Sequence, residues 1–333
     1  MQEYPVPDFF DESMTSEVWQ VLYQERANFA LDWRGQHDIN FASQDDKKIC
    51  LMLIDCQNTF CIEGFELFVA GAIEDNQRLC RFIYKNIGNI TNIAPTMDTH
   101  TAMQIFHSIF WVNDLNEHPA PNTIITAEDV RNGNWKVNPS IAYSIGNYML
   151  LQRHAVDYTQ QLEDGGKYPL IIWPYHAILG GIGHALVSSI EEAIFFHNIC
   201  RASQTDYRIK GGNPLTENYS VLNPEVRETI KVIAQKNTDF IEKLMSFDAI
   251  IIAGQAKSHC VAWTINDLLD EILAQDPSLV RKVYLLEDCT SPVVIPGIID
   301  FTNQADEAFN RFNSAGMHIV KSTDNMDSWP GLS

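Results

Sequence analysis

Asp248-Ala-Ile-Ile-Ile-Ala-Gly254-Gln-Ala-Lys-Ser-His-Cys260-Val261 decides how the rest of the chain is read. Five apolar residues, Ala249 to Ala253, end in Gly254 and read as a strand buried on both faces. Beyond the turn, Val261, Ile265, Leu268, Leu269, Ile272 and Leu273 recur at helical spacing. Cys260 therefore falls at a strand-to-helix turn. Free backbone N–H groups and the helix dipole there lower a thiol's pKa from about 8.5 and can hold an oxyanion. A cysteine so placed is most often a small buried hydrophobe, so the turn needs company before it means chemistry.

Composition narrows the classes. The 333 residues can bury a large core, and the net charge of −20 with no basic block argues against nucleic acid as a partner. No apolar run reaches transmembrane length, and Met1-Gln-Glu-Tyr-Pro-Val-Pro-Asp8 lacks the basic-then-apolar layout of a secretory leader. The expectation is a cytoplasmic protein with no membrane partner. Seven cysteines (50, 56, 61, 80, 200, 260 and 289) contain no C-x-x-C pair and read as reduced thiols.

Working outward from the central turn, residues 1–47 read as an N-terminal extension, mostly helical, with a helix near 15–32. The domain proper spans 48–333. Lys48-Ile-Cys-Leu-Met-Leu-Ile-Asp55 is an apolar strand ending in a carboxylate, where an open parallel sheet puts its ligand crevice. A helix near 72–88 follows, then the strand that starts at Asn92. Its exit loop holds Asp98-x-His100 and, seven residues on, His107. An apolar strand, Tyr168 to Trp173, leads into Pro174-Tyr-His176. Carboxylate and imidazoles in this arrangement suit zinc, iron or manganese with open positions for water or ligand. Asp206 to Lys210 reads as a short strand, followed by Gly211 and Gly212. A lysine beside a thiol and a carboxylate would stabilise the thiolate. Helical insertions are expected near 139–164 and 225–247, and the last strands near 282–288 and 317–320 flank a helix near 302–315. The alternation predicts an α/β fold, a doubly wound, mostly parallel sheet of about six strands with helices on both faces.

Four blocks together resemble the isochorismatase-like cysteine hydrolases, and within them the nicotinamidase/pyrazinamidase branch. Leu53-Ile-Asp55-Cys-Gln57-Asn58-Thr-Phe60-Cys61 resembles D-x-Q-N-D-F-C, with Thr59 at the usual acidic position. Asp98-Thr-His100 with His107, then Trp173-Pro-Tyr-His176 running to Gly181-Ile-Gly183, resembles D-x-H…H and W-P-x-H-C-x-x-G-T-x-G. Lys210-Gly211 with Glu217-Asn-Tyr219-Ser220 resembles K-G…D-x-Y-S. Gly254-Gln-Ala256-Lys-Ser-His259-Cys260-Val261 resembles G-x-A-T-D-H-C-V, with Gln255 where the family has an aliphatic residue. The resemblance spans residues 48–321.

It implies a catalytic triad of Asp55, Lys210 and Cys260, with an oxyanion hole made by the backbone N–H groups of Ala256 and Cys260. It also implies one divalent metal ion, zinc before iron or manganese, on Asp98, His100, His107 and His176, and a ring slot between Phe60 and Trp173. The activity so implied is hydrolysis of nicotinamide to nicotinate and ammonia through a thioester, within NAD salvage, by a chain that can form homo-oligomers. Three other readings stay open. They are a cysteine hydrolase of another small carboxamide or ureide, a catalytically idle ligand-binding member of the fold, and a hydrolase using metal-bound water.

Overall fold

Side chains of a strand point alternately to its two faces, so a run that is apolar throughout has to be covered on both. In the computed structural model, which describes residues 1–229 and 235–332, six strands meet that demand in one parallel sheet. They are β1 (Ile49–Ile54), β2 (Asn92–Asp98), β3 (Arg208–Lys210), β4 (Ala249–Gly254), β5 (Val283–Leu286) and β6 (His318–Val320). Ile49, Leu51 and Leu53 of β1 enter one hydrophobic cluster, and Cys50, Met52 and Ile54 the other. β4 divides the same way, Ala249, Ile251 and Ala253 against Ile250 and Ile252.

The first cluster is closed by α1 (Tyr23–Gln36), α2 (Ala72–Lys85), α3 (Tyr148–Asp164) and α4 (Ser188–Arg201). The second is closed by α5 (Thr238–Met245), α6 (Ala262–Gln275) and α7 (Thr302–Ala315). The sheet is thus doubly wound, as the alternation of elements predicts.

Its spatial order is β3-β2-β1-β4-β5-β6. The chain steps outward from β1 in one direction, then returns to β4 and steps outward in the other. Connections leaving β1 and β4 diverge, which opens a crevice at their carboxyl ends. β1 and β4 run in register from Ile49 opposite Ala249 to Ile54 opposite Gly254. Gly254 has φ +115°, and a Cβ there would lie 2.0 Å from the Ile54 carbonyl oxygen, so only glycine allows the two strand ends to touch. Asp55 and the Cys260 turn leave from that point of contact.

Four expectations shift. The helix expected near 15–32 starts only at Tyr23, because the backbone N–H and C=O of Trp19 are both bound to the Ser188 hydroxyl of α4, which holds the approach extended. The insertion near 139–164 is broken at Gly146 (φ +144°), after which Asn147 caps α3. Tyr168–Trp173 stays outside the main sheet: only Leu170–Ile171 is strand, paired antiparallel with Ile124–Ile125. Of the helix expected near 225–247, residues 230–234 lie outside the described residues, and the helix seen is Thr238–Met245. Tertiary bonds claim the segment before it, Glu225 N–H donating to the Glu217 carbonyl and Gln161 Nε2 to that of Glu228. Among the described residues no helix is long and apolar enough to cross a membrane.

Candidate active site

Three strand ends bring the first group together. Asp55 follows β1 with φ +45°, an uncommon conformation for a residue with a side chain, and one that marks functional turns. Lys210 ends β3, and Cys260 lies in a wide, π-helical turn, Lys257–Val261, that runs into α6. The Lys210 ammonium is 2.9 Å from Asp55 Oδ2, 2.9 Å from Asp98 Oδ1 and 2.9 Å from the Asn218 carbonyl oxygen. Its fourth neighbour is Cys260 Sγ at 3.5 Å. All four residues named here for their side chains are buried. One cation therefore joins two carboxylates and the sulfur out of water.

Burial and charge set the protonation states. Burial alone would strip the Lys210 proton, but Asp55, Asp98 and Cys260 hold it well above the usual amine range. Burial raises the Asp55 carboxyl above 3.8 against the pull of Lys210. The Cys260 thiol is pushed well up by burial, with Lys210 opposing. Burial thus works against the lowering expected at a helix turn, which gives a neighbouring base the task of taking the proton as sulfur attacks.

The second group lies on the other side of Asp98. Asp98 Oδ2 is 2.8 Å from His100 Nε2 and 3.6 Å from His176 Nε2. Ligand atoms of these three residues lie within 4.8 Å of one another. His107 stands beside them outside that trio, its ring centroid 6.0 Å from His100 and 5.9 Å from His176.

The outer nitrogens are anchored to backbone carbonyls. His176 Nδ1 lies 2.8 Å from the Pro174 oxygen, His107 Nδ1 3.2 Å from that of Ala102 and His100 Nδ1 3.3 Å from that of Gly211. Carbonyls accept only, so each Nδ1 carries the hydrogen. In His107 and His176, whose pKa values burial lowers, this leaves Nε2 as a bare lone pair, whereas Asp98 raises the His100 pKa against burial and draws a proton onto its Nε2. Burial, with His176 and His100 nearby, drives the His107 pKa down to about 3, so it stays neutral. Its buried Nε2 has no hydrogen-bond partner among the described residues. The Asp98 carboxylate and the His100 and His176 imidazoles, gathered in one small space with His107 beside them, fit a divalent metal ion.

Backbone fit explains the Lys-Gly pair. Gly211 has φ +82°, and a Cβ there would fall 2.7 Å from His100 Cε1. Gln57, from the first motif block, clamps the end of β2: its Nε2 donates to the Asp98 carbonyl and its Oε1 accepts the Asp98 N–H at 2.7 Å.

Between the two groups is a pocket lined by Phe60, Trp173, Tyr219, Glu217, Ala256, His259 and Cys260, with aromatic rings suited to a small flat molecule. Phe60 packs against His176 (5.7 Å between centroids), and Trp173 Nε1 donates to the Tyr219 hydroxyl at 3.1 Å. The Ala256 N–H has no hydrogen-bond partner among the described residues, and both Ala256 and Cys260 face the pocket.

Glu217 and His259 belong to this wall, although the sequence reading assigned them no role. Burial raises the Glu217 carboxyl to about 8. Both lie inside motif blocks, and an acid seven residues after the lysine was the available signal.

No family model matches the chain, and no curated protein matches it. Solved structures do. A nicotinamidase/pyrazinamidase from Acinetobacter baumanii matches with a TM-score of 0.53 at 18% identity, over 84% of this chain and 99% of that one. The yeast nicotinamidase matches with a TM-score of 0.51 at 17% identity, over 82% and 99%. The yeast enzyme bound to the inhibitor nicotinaldehyde gives 0.52 at 18%, over the same shares. At these identities the likeness establishes the fold, and the chain has the fold of the nicotinamidases, the branch its four motif blocks resemble.

Proposed function

We propose that this chain is a metal-assisted cysteine amidase that hydrolyses nicotinamide to nicotinate and ammonia. The observation that carries this reading is the shared ammonium of Lys210, which couples a thiol and a base on one side to a carboxylate among imidazoles on the other. Asp55 takes the Cys260 proton as sulfur attacks the carboxamide carbon, while Lys210 keeps acid and sulfur in place. The tetrahedral oxyanion is received by the backbone N–H groups of Ala256 and Cys260. Asp55 returns the proton to the amide nitrogen, the C–N bond breaks and ammonia leaves a thioester. Water, losing a proton to Asp55, then attacks the thioester. The C–S bond breaks, nicotinate leaves, and the proton passes back to sulfur.

Asp98, His100 and His176, with His107 beside them, would hold the ion, zinc by the motif resemblance. When bound, it supplies a Lewis-acid anchor for a ring nitrogen. Phe60 and Trp173 flank the ring and exclude water from it.

The test is ammonia release from nicotinamide and pyrazinamide by metal-loaded enzyme, with mass spectrometry of acid-quenched protein for a nicotinoyl adduct on Cys260. Absence of both ammonia and adduct sinks the nicotinamide assignment. Release without any dependence on Cys260 favours metal-bound water as the nucleophile.

A further inference from the structure

The oxyanion turn is held by a side chain that no step above uses. Gln255 is wholly buried, and both ends of its amide are engaged. Its Nε2 donates to Asp75 Oδ2 of α2 at 2.8 Å, and its Oε1 accepts the Ser291 N–H at 3.2 Å. Asp75 is itself buried and is fixed from behind, its Oδ1 accepting from Arg78 at 2.8 Å. The backbone N–H of Gln255 donates to the Ile54 carbonyl at 2.8 Å, one residue before the Asp55 base.

Two further bonds sew the same turn to the loop after β5. Lys257 N–H donates to the Ser291 carbonyl at 2.8 Å, and Val293 N–H to Ser258 Oγ at 3.0 Å. Val293 also lines the pocket. Gln255 thus stands where three pieces of backbone meet: the start of α2, the oxyanion turn and the loop that closes the pocket wall. An aliphatic residue here, as in the family pattern, would leave the buried Asp75 Oδ2 and the Ser291 N–H without their Gln255 partner, which no well-packed interior accepts freely.

We propose that Gln255 is a positioning residue that tethers the Ala256–Cys260 turn to Asp75 and to the loop at Ser291, and so keeps the oxyanion donors aimed before substrate arrives. The inference rests on the cysteine-amidase reading for its catalytic consequence, and on the hydrogen bonds alone for the tether. Oxyanion donors act through being fixed in advance, so loosening their turn costs turnover and not ground-state binding. The ring contact of Phe60 is with His176, outside the turn, and Trp173 meets the turn through an edge contact with the His259 ring.

The test uses the metal-loaded full chain with Gln255→Leu, Gln255→Glu and the exchange pair Gln255→Glu/Asp75→Asn. In the pair, the amide at 75 donates to the new carboxylate at 255, which still accepts from Ser291, so the tether is rebuilt with donor and acceptor reversed. Expected for Gln255→Leu is a fall in kcat of about 10–100-fold with KM within about twofold, below the 10²–10³-fold seen when a donor is deleted outright. The single Gln255→Glu, placing like charges together, falls at least as far. The pair returns kcat to within about fivefold of wild type.

Amide hydrogen exchange of peptides covering 254–261 and 289–293 reads the tether independently of turnover, and should speed up in the singles and recover in the pair. Singles with wild-type kcat, equal loss through KM, or a pair no better than its worse single overturn the catalytic role. Unchanged exchange in folded singles, or a pair that does not recover it, overturns the tether. A wild-type enzyme that hydrolyses no carboxamide overturns the reading above and the catalytic role with it, while exchange still decides the tether.

Discussion

The two ends of the pocket are both buried and share Asp98, yet they are finished differently. At the thiol end every charge has its counter-charge inside the protein, since Lys210 touches Asp55, Asp98 and Cys260 at once. At the imidazole end the outer nitrogens are anchored, but His107 Nε2 is buried and unpartnered. Folded proteins rarely leave a buried polar atom unpaired, because its desolvation costs about 1–3 kcal/mol. Asp55 Oδ2 has the Lys210 ammonium 2.9 Å away, whereas His107 Nε2, like His259 Nε2 in the pocket wall, has no hydrogen-bond partner among the described residues, so charges are matched at the thiol end and polar lone pairs are left for a guest elsewhere.

That contrast can be broken most directly at sulfur. Cys260→Ala should lower ammonia release by about 10⁴-fold or more, as loss of a nucleophile does, while bound metal per chain stays as in wild type. Metal loss in that variant would show that the two ends are one unit. Asp55 must be ionised to start the reaction. Its raised pKa therefore puts the acid limb of kcat/KM above the ordinary 3.8, with activity lost as pH falls through it. A limb at or below 3.8 would remove Asp55 from the role of base.

Removing the shared cation should damage both ends. Lys210→Met leaves Asp55 and Asp98 buried without their common partner, and unfolding in urea should show a loss of about 3–5 kcal/mol together with loss of turnover. A variant as stable as wild type would mean that water reaches the carboxylates.

At the imidazole end the expected effects are smaller. His107→Ala should weaken metal binding by about 10–100-fold, read by competition with a chromophoric chelator, and should leave the rate of Cys260 alkylation unchanged. An unaltered metal affinity would make His107 a neighbour and not a ligand.

Glu217 gives the sign of a pH effect. Burial raises its carboxyl from 4.5 to about 8, so the folded state prefers the protonated form. Its contribution is fully favourable below 4.5 and declines as pH rises towards 8. Glu217→Gln imitates the protonated acid. In metal-free protein the stability of this variant relative to wild type should therefore grow between pH 5 and pH 8. A constant difference would show that Glu217 is charged throughout.

The parts that were legible in the chain were those governed by local pattern. Continuous apolar runs at 49–54 and 249–253 read as strands covered on both faces, the first running into Asp55 and the second into the turn that carries Cys260. The order of strands and helices then implied the doubly wound sheet. The start of the helix expected near 15–32 was not legible, because one hydroxyl, that of Ser188, holds Trp19 in extended backbone from 169 residues away and delays the helix to Tyr23.

Residue types and motif spacing, then, determined by themselves that an acid, an amine and a thiol would sit at strand ends of one sheet, with the Asp98-x-His100 pair following another of its strands. Only tertiary structure decided that a single ammonium would join Asp55, Asp98 and Cys260, that burial would push the Cys260 thiol up, and that the Gln255 side chain would bond to Asp75 of α2. The physical reason is desolvation. A residue's charge state and hydrogen-bond partners depend on what surrounds it once water is gone, and the surroundings of Cys260 and Gln255 come from segments as much as about 200 residues away in the chain.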